Sequence, residues 1–278
     1  MAGKLYIVGT PIGNLEDISQ RMKNILNEVD VVFAEDTRVS IKLLSHIGVS
    51  KTLISCHDYN EAARSNELKR YAESGRSVAL ISDAGMPLVS DPGYKFVQEA
   101  LRLEMEVIGI PGPSSVLLAL VGSGLPCERF AFEGFLADKA GERKERLQKL
   151  KDDDRTLIFF VSIHDLEKTL KDINEIMGNR AACICRELTK LHEEYIRKPV
   201  LDLLEILKER QLKGECVLVI EGARQASELM SEAELSKRLS ELLASGARLK
   251  DASAVLAKES GWNASDVYKL GLKLKNTV

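Results

Sequence analysis

The chain has 278 residues, 45% of them hydrophobic and 29% charged, which excludes a largely disordered polypeptide and leaves apolar material for two cores. No uninterrupted apolar stretch approaches the roughly 20 residues that cross a bilayer, and residues 1–4 run into an apolar segment without the features of a leader. Five cysteines without regular spacing do not read as a disulfide framework, and a formal net charge of −3 argues against an indiscriminate nucleic-acid coat. A cytoplasmic protein is expected, with a structured RNA target still open.

Residues 5–8 (Leu-Tyr-Ile-Val) predict a buried strand, 18–29 a helix capped by Asp17, and 31–34 a second strand. Strands at 77–81 and 106–110 follow helices at 60–74 and 94–103. Continuous apolar strands separated by helices imply βαβ units and a mostly parallel sheet covered on both faces. The pattern pauses at Pro111-Gly112-Pro113, then resumes with a helix from Ser114, a strand at 129–134 and a charged stretch at 139–155. Strands at 156–161, 181–186 and 215–220, with helices near 164–177 and 199–210, form a second α/β layer. Beyond Gly222 there is no further strand signal, and three helices are expected at 231–245, 248–259 and 264–275. The predicted organisation is an α/β domain over 1–111, a second over 112–225, and a helical extension over 226–278.

Four strand-to-loop junctions could carry chemistry. Gly9-Thr10-Pro11-Ile12-Gly13-Asn14-Leu15 follows the first strand, where open α/β sheets place ligands, but it matches neither a Walker loop nor a dinucleotide fingerprint. Ala34-Glu35-Asp36-Thr37-Arg38 ends the second strand with three ionisable residues; an Asp36–Arg38 pair capping the next helix is the plain alternative. The strongest is residues 81–93, ISDAGMPLVSDPG, with two Asp, two Gly and two Pro. Carboxylates beside exposed backbone groups suit a hydroxylated or cationic ligand and repel phosphate. Within it, Asp91 with Pro92 also reads as a helix start. Pro111-Gly112-Pro113-Ser114-Ser115 is a further turn whose amides and hydroxyls face the crevice, although Ser114 as a simple cap competes. The four histidines are scattered, Cys183 and Cys185 read as core thiols, and no metal site is expected. Arg186-Glu187-Leu188-Thr189-Lys190 either closes the crevice from the second layer or is a solvated charge run.

Taken together, LYIVGTPIGNLEDIS, AEDTR, ISDAGMPLVSDPG, PGPSS, FEGFL, RELTKLHEE and GECVLVIEG resemble the tetrapyrrole-methylase superfamily of S-adenosylmethionine enzymes. Within it they are most similar to the branch acting on the ribose 2′-hydroxyl of cytidine in small-subunit (16S) ribosomal RNA. The resemblance implies two α/β domains with S-adenosylmethionine in the cleft between them, no metal, and a homodimer. Asp83, Ala84, Gly85 and Leu88 would line the methionine and ribose part, and Pro113, Ser114 and Ser115 would contact it from the second domain's edge. Phe160, Val161, Leu188 and Val217 would lie nearer the adenine, with Pro11 in the active-site turn. The chain departs from the family at Ala137-Asp138, which follow Gly134-Phe135-Leu136, and at Val161-Ser162-Ile163-His164-Asp165.

A ribose hydroxyl is a weak acid, so its attack needs orientation or removal of its proton; Asp36 and Arg38 are the candidates. Lys139, Arg143, Lys144, Arg146 and the C-terminal helices would supply phosphate contacts to the ribosomal RNA. Residues 249–259, a turn containing Gly261, and 265–274 have helix-turn-helix rhythm, with a plain helical cap as the alternative. Two other functions share the scaffold: a tetrapyrrole C-methyltransferase, and a non-catalytic RNA-binding assembly factor.

Overall fold

A computed structural model describes residues 3–57, 61–223, 230–260 and 262–275. The chain divides into two compact units, Met1–Lys151 with Arg155–Glu221, and Asp152–Asp154 with Gly222–Val278.

The first unit holds two five-stranded sheets. In the first, β1 (Lys4–Val8), β2 (Val31–Ala34), β3 (Leu53–Ser55), β4 (Val78–Ile81) and β5 (Glu106–Ile110) lie in the order β3-β2-β4-β1-β5. All four pairings are parallel. Because strand side chains alternate, the two faces bury different sets. Leu5, Ile7, Phe33 and Leu80 pack with Leu68 of α3 (Glu61–Glu73) and Phe96 of α4 (Tyr94–Arg102). Val8, Val32, Ala79 and Ile81 pack with Met22 and Leu26 of α1 (Gln20–Glu28) and Leu44 of α2 (Thr37–His46). Each fully buried side chain of this size contributes about 1.5–3 kcal/mol.

The second sheet contains β6 (Phe130–Phe135), β7 (Thr156–Ser162), β8 (Ala181–Arg186), β9 (Glu194–Pro199) and β10 (Glu215–Ile220), in the order β6-β7-β10-β8-β9. Only β6 and β7 are parallel; β10 enters between β7 and β8 antiparallel to both, and β8 and β9 are antiparallel. The expectation of a mostly parallel arrangement therefore holds for the first sheet and not for this one. One face carries α6 (Ala140–Leu150), α7 (Leu166–Met177) and α8 (Val200–Glu209) on Leu157, Phe159, Ile184 and Leu218. On the other, Ile158, Cys183, Cys185, Val217 and Val219 pack with Val116, Ala119 and Leu120 of α5 (Ser115–Ser123). Both cysteines are fully buried thiols.

Two helix starts differ from the sequence reading. Asp17 lies inside a single 3-10 turn, Leu15–Asp17, and α1 is capped instead by Ser19, whose Oγ accepts from the Met22 N–H at 3.1 Å. Asp91 does not cap α4, because the loop continues to Gly93, whose φ of +126° forms the junction. Position 60, the expected start of α3, lies outside the described residues.

In the second unit, α9 (Glu232–Ala244), α10 (Leu249–Ser260) and α11 (Ala264–Lys275) bury Leu235, Leu239, Ala252, Leu256 and Val267. The Trp262 indole donates to the Met230 carbonyl at 2.8 Å and Arg238 pairs with Glu259 at 2.8 Å, closing the bundle. Gly261, expected in the turn, lies outside the described residues. Among the described residues, no helix is long and apolar enough to cross a membrane.

Candidate active site

Because β1, β4 and β5 are adjacent and parallel, the turns after them emerge at one edge of the sheet, where open α/β folds hold ligands. The first two are tied together. Thr10 N–H donates to the Gly85 carbonyl at 2.9 Å and Gly85 N–H to the Thr10 carbonyl at 3.1 Å. The fully buried Thr10 hydroxyl adds a bond to the Ser82 carbonyl at 3.2 Å. The third turn is held by a close backbone approach: a Cβ on Gly112 would lie 2.7 Å from the Cα and C of Gly9. Ser114 then caps α5, its Oγ accepting from the Leu117 N–H at 3.4 Å.

The loop after β4 is contorted. Gly85 and Gly93 have φ of +83° and +126°, and Leu88 and Ser90, which are not glycine, sit at +72° and +66°. Left-handed conformations at side-chain-bearing residues are costly and cluster at ligand-binding segments. Leu88 packs against the first sheet's core, which anchors the loop and turns its neighbours outward.

Together these turns and the end of the second sheet enclose a cavity of about 560 Å³, within the roughly 300–1,000 Å³ range of small-molecule sites. Ala84, Gly85, Met86, Val89, Ser90 and Asp91 form one wall, and Ser114, Ser115 and Val116 another. Phe135, Phe160, Val161, Leu188, Cys216 and Val217 supply an apolar side. The lining contains Asp91 and Glu215 but no lysine or arginine. Lys190 neutralises Glu215 at 2.9 Å. Asp91 is different: burial pushes its carboxyl above the usual range, a Ser82 hydrogen bond opposes this, and the charge on Asp83 adds to it. A half-buried carboxylate in a lining without lysine or arginine favours a positively charged ligand.

Of the expected site residues, Ala84, Gly85, Ser114, Ser115, Phe160, Val161, Leu188 and Val217 line this cavity. Pro11 and Pro113 lie in the turns but are not among the lining residues, and Leu88 packs against the core. Asp83 lies outside the lining but joins a carboxylate relay: its Oδ1 accepts the Asp36 N–H at 3.1 Å, and its own N–H reaches Glu35 Oε2 at 3.4 Å. Burial pushes the Asp83 carboxyl up, the Asp36 N–H opposes this, and the Asp36 charge reinforces it. Asp36 caps α2 by accepting the Arg38 N–H at 2.8 Å and is gripped by the Arg38 guanidinium at 2.6 Å. That side-chain contact is the chief reason its carboxyl falls to about 2. Sequence reasoning missed Phe135, Asp91 as a lining residue, and the strand ends 162–164 and 214–216.

The segment 186–190 closes the crevice instead of running free in solvent. Leu188 lines the cavity, and a Cβ on Gly13 would fall 2.5 Å from Lys190 Cγ. Arg143, expected at phosphate, is a correction: its side chain is only 4% exposed and pairs with Asp172 at 2.7 Å. Lys139, Lys144 and Arg146 are paired with Glu142, Glu175 and Glu133. Among the described residues, no cluster of three or more His, Cys, Asp or Glu could hold a metal.

The chain matches the family model of the tetrapyrrole (corrin/porphyrin) methylases over residues 4–205. The ribosomal RNA small subunit methyltransferase I of Pasteurella multocida is 41% identical over 277 residues, covering 98% of each chain. Its namesake in Thermotoga maritima is 44% identical over 220 residues, which is 79% of this chain and 99% of that one. In fold, the chain is similar to uroporphyrin-III-C-methyltransferase from Thermus thermophilus, with a TM-score of 0.55, 22% identity, and coverage of 79% and 94%. The chain belongs to the tetrapyrrole (corrin/porphyrin) methylase family and, within it, to the group of the ribosomal RNA small subunit methyltransferases I.

Proposed function

We propose that this protein is an S-adenosylmethionine-dependent methyltransferase acting on the ribose 2′-hydroxyl of a cytidine in 16S ribosomal RNA. The observation that carries this reading is the cavity beside residues 84–91, with a half-buried carboxylate and no lysine or arginine in its lining, in a chain about 40% identical to named rRNA methyltransferases. The residues fit the donor. Asp91 offers a negative charge to a sulfonium, while Phe160, Leu188 and Val217 provide an apolar wall for the adenine. Ser114 and Ser115 bring hydroxyls to the polar side. Gly85 is needed because its left-handed backbone lets the loop approach the ligand closely.

When bound, the donor supplies a methyl carbon open to in-line displacement. The protein's part is alignment, which can account for several orders of magnitude in rate. Asp36, held near 2 by Arg38, is too weakly basic to take a proton from a ribose hydroxyl efficiently, so the pair acts by orienting the acceptor. Its backbone bond to Asp83 couples that orientation to the donor loop. Asp83 and Asp91 are the more basic carboxylates here, both raised by burial.

The folded small ribosomal subunit is the substrate, so shape and one exposed nucleotide supply recognition in place of a wide basic surface. The protein works in the cytoplasm as a homodimer, and the C-terminal helices contribute to gripping RNA. The test is to map 2′-O-methylation on 16S rRNA from cells with and without the protein. Loss of one methylated cytidine, restored by the purified chain with S-adenosylmethionine, is expected; an unchanged map would overturn the reading.

A further inference from the structure

Strand β6 carries an irregularity beside the cavity. Phe132 pairs with Ile158 and Phe135 with Phe160, so three steps on β6 span two on β7. Gly134, at φ +65°, takes up the extra residue. In a regular strand, side chains three apart point to opposite faces. Here the bulge turns both phenylalanines toward the same ring: Phe132 and Phe135 lie 4.8 and 5.3 Å from Phe160, centroid to centroid. Bulges next to active sites re-aim side chains in this way.

The re-aimed ring is not buried. Phe135 lines the cavity yet is 65% exposed, whereas Phe160 beneath it is half-buried. Its plane is tilted 58° from that of Phe160, and among the described residues no second aromatic ring packs against it. The loop that carries the ring onward is fixed. Arg143, buried against Asp172, donates to the carbonyls of Ala137 at 3.1 Å and Asp138 at 2.9 Å. Across the opening, a Cβ on Gly134 would come within 3.6 Å of Ser90 Oγ. An exposed aromatic face at the mouth of a cavity whose lining has two carboxylates and no lysine or arginine is suited to a flat uncharged ring and not to a phosphate.

We infer that Phe135 is the stacking platform for the unpaired base of the target nucleotide, a claim that rests on the reading of the chain as an RNA methyltransferase. The inner wall at Phe160 and Val217 is left to the donor, and the mouth is the side from which an acceptor must arrive for in-line transfer. Single-stranded RNA is commonly read by bases stacked on aromatic side chains. Phe135 is thus a positioning residue, holding the base so that the attached ribose presents its hydroxyl.

The test uses the full chain, methyl-labelled S-adenosylmethionine, and small subunits from cells lacking the protein. Phe135→Leu keeps apolar bulk and removes the ring; Phe135→Tyr keeps the ring. Phe135→Leu is expected to raise the KM for subunits roughly five- to hundredfold, the usual loss of one stacked base, with donor affinity by calorimetry within about twofold of wild type. Phe135→Tyr is expected to restore the wild-type KM. An active wild type with an unaltered KM in Phe135→Leu, a KM in Phe135→Tyr raised as far as in Phe135→Leu, or a loss confined to donor affinity would overturn the stacking role alone. A wild-type chain that transfers no methyl group to subunits would overturn the underlying function instead.

Discussion

The close approach of Gly9 and Gly112 links the fold to the site, and Gly112→Ala tests it. The added carbon would lie 2.7 Å from the Cα and C of Gly9 and 2.8 Å from its O. All three atoms are backbone, held by the pairing of Val8 with Ile110 and by the Gly9 N–H bond to the Ile110 carbonyl at 3.3 Å. Carbon atoms rest at about 3.5–4.0 Å, so one turn must move by about 0.8 Å or more. Overpacking of this kind costs about 1–3 kcal/mol. Ser114 and Ser115 follow within three residues and must shift with the turn, so donor affinity is expected to fall about tenfold, equivalent to about 1.4 kcal/mol. Urea unfolding reads the first quantity and calorimetry the second. Gly141→Ala is the control: it has no atom within 4 Å, lies in the first turn of α6, and is expected to gain up to about 1 kcal/mol without affecting the donor. Gly112→Ala with wild-type stability and affinity would refute the idea that this contact sets the position of the serine turn.

Arg143→Met leaves the buried Asp172 with Lys144 at 3.6 Å and frees the Ala137 and Asp138 carbonyls, and is expected to cost about 3 kcal/mol in urea unfolding, part of it recovered in Arg143→Met with Asp172→Leu; a loss below about 1 kcal/mol would contradict the buried pairing. Asp91 has a carboxyl raised by burial, so the folded chain binds its proton more tightly than the unfolded one, and this group costs stability as pH rises past the ordinary carboxylate range. Asp91→Asn should therefore melt higher than wild type at pH 7, match it near pH 3, and bind the donor more weakly; equal melting at both pH values would remove that reasoning. Asp36→Ala is expected to lower turnover more than tenfold with donor affinity unchanged, and because Asp36 titrates near 2 it should contribute no inflection to the activity profile between about pH 5 and 8. Removing residues 226–278 is expected to leave donor affinity within about twofold, since every residue lining the cavity belongs to the first unit, while the KM for subunits rises.

The first sheet was legible because β1, β2 and β4 are continuous apolar runs, the mark of strands buried on both faces. Two strands left no such mark. Leu53–Ser55 has three half-buried residues at a sheet edge, and Glu194–Pro199 carries Glu194, Arg197 and Lys198 and reads as a solvated segment. The antiparallel entry of β10 depends on which strands pair across more than 50 residues, a long-range choice without a local signature. At the site, the Gly- and Pro-rich turns announced themselves by backbone demands. Residues such as Phe135 did not, because a bulge reversed the face that alternation assigns to them. Arg143 read as surface charge because it sits in a charged run, although its spacing to Leu147 and Leu150 places it on the buried face of α6, where Asp172 pairs with it.

In the proposed function, the fold and the cavity place the methyl donor against residues 84–91. Ultraviolet crosslinking of methyl-labelled S-adenosylmethionine to the intact protein, followed by peptide mapping, tests this most directly. Label is expected in the peptides that hold residues 84–91, 114–116, 160–164 or 214–217. Label confined to the C-terminal helices, or to the outer helices of either sheet, would contradict it.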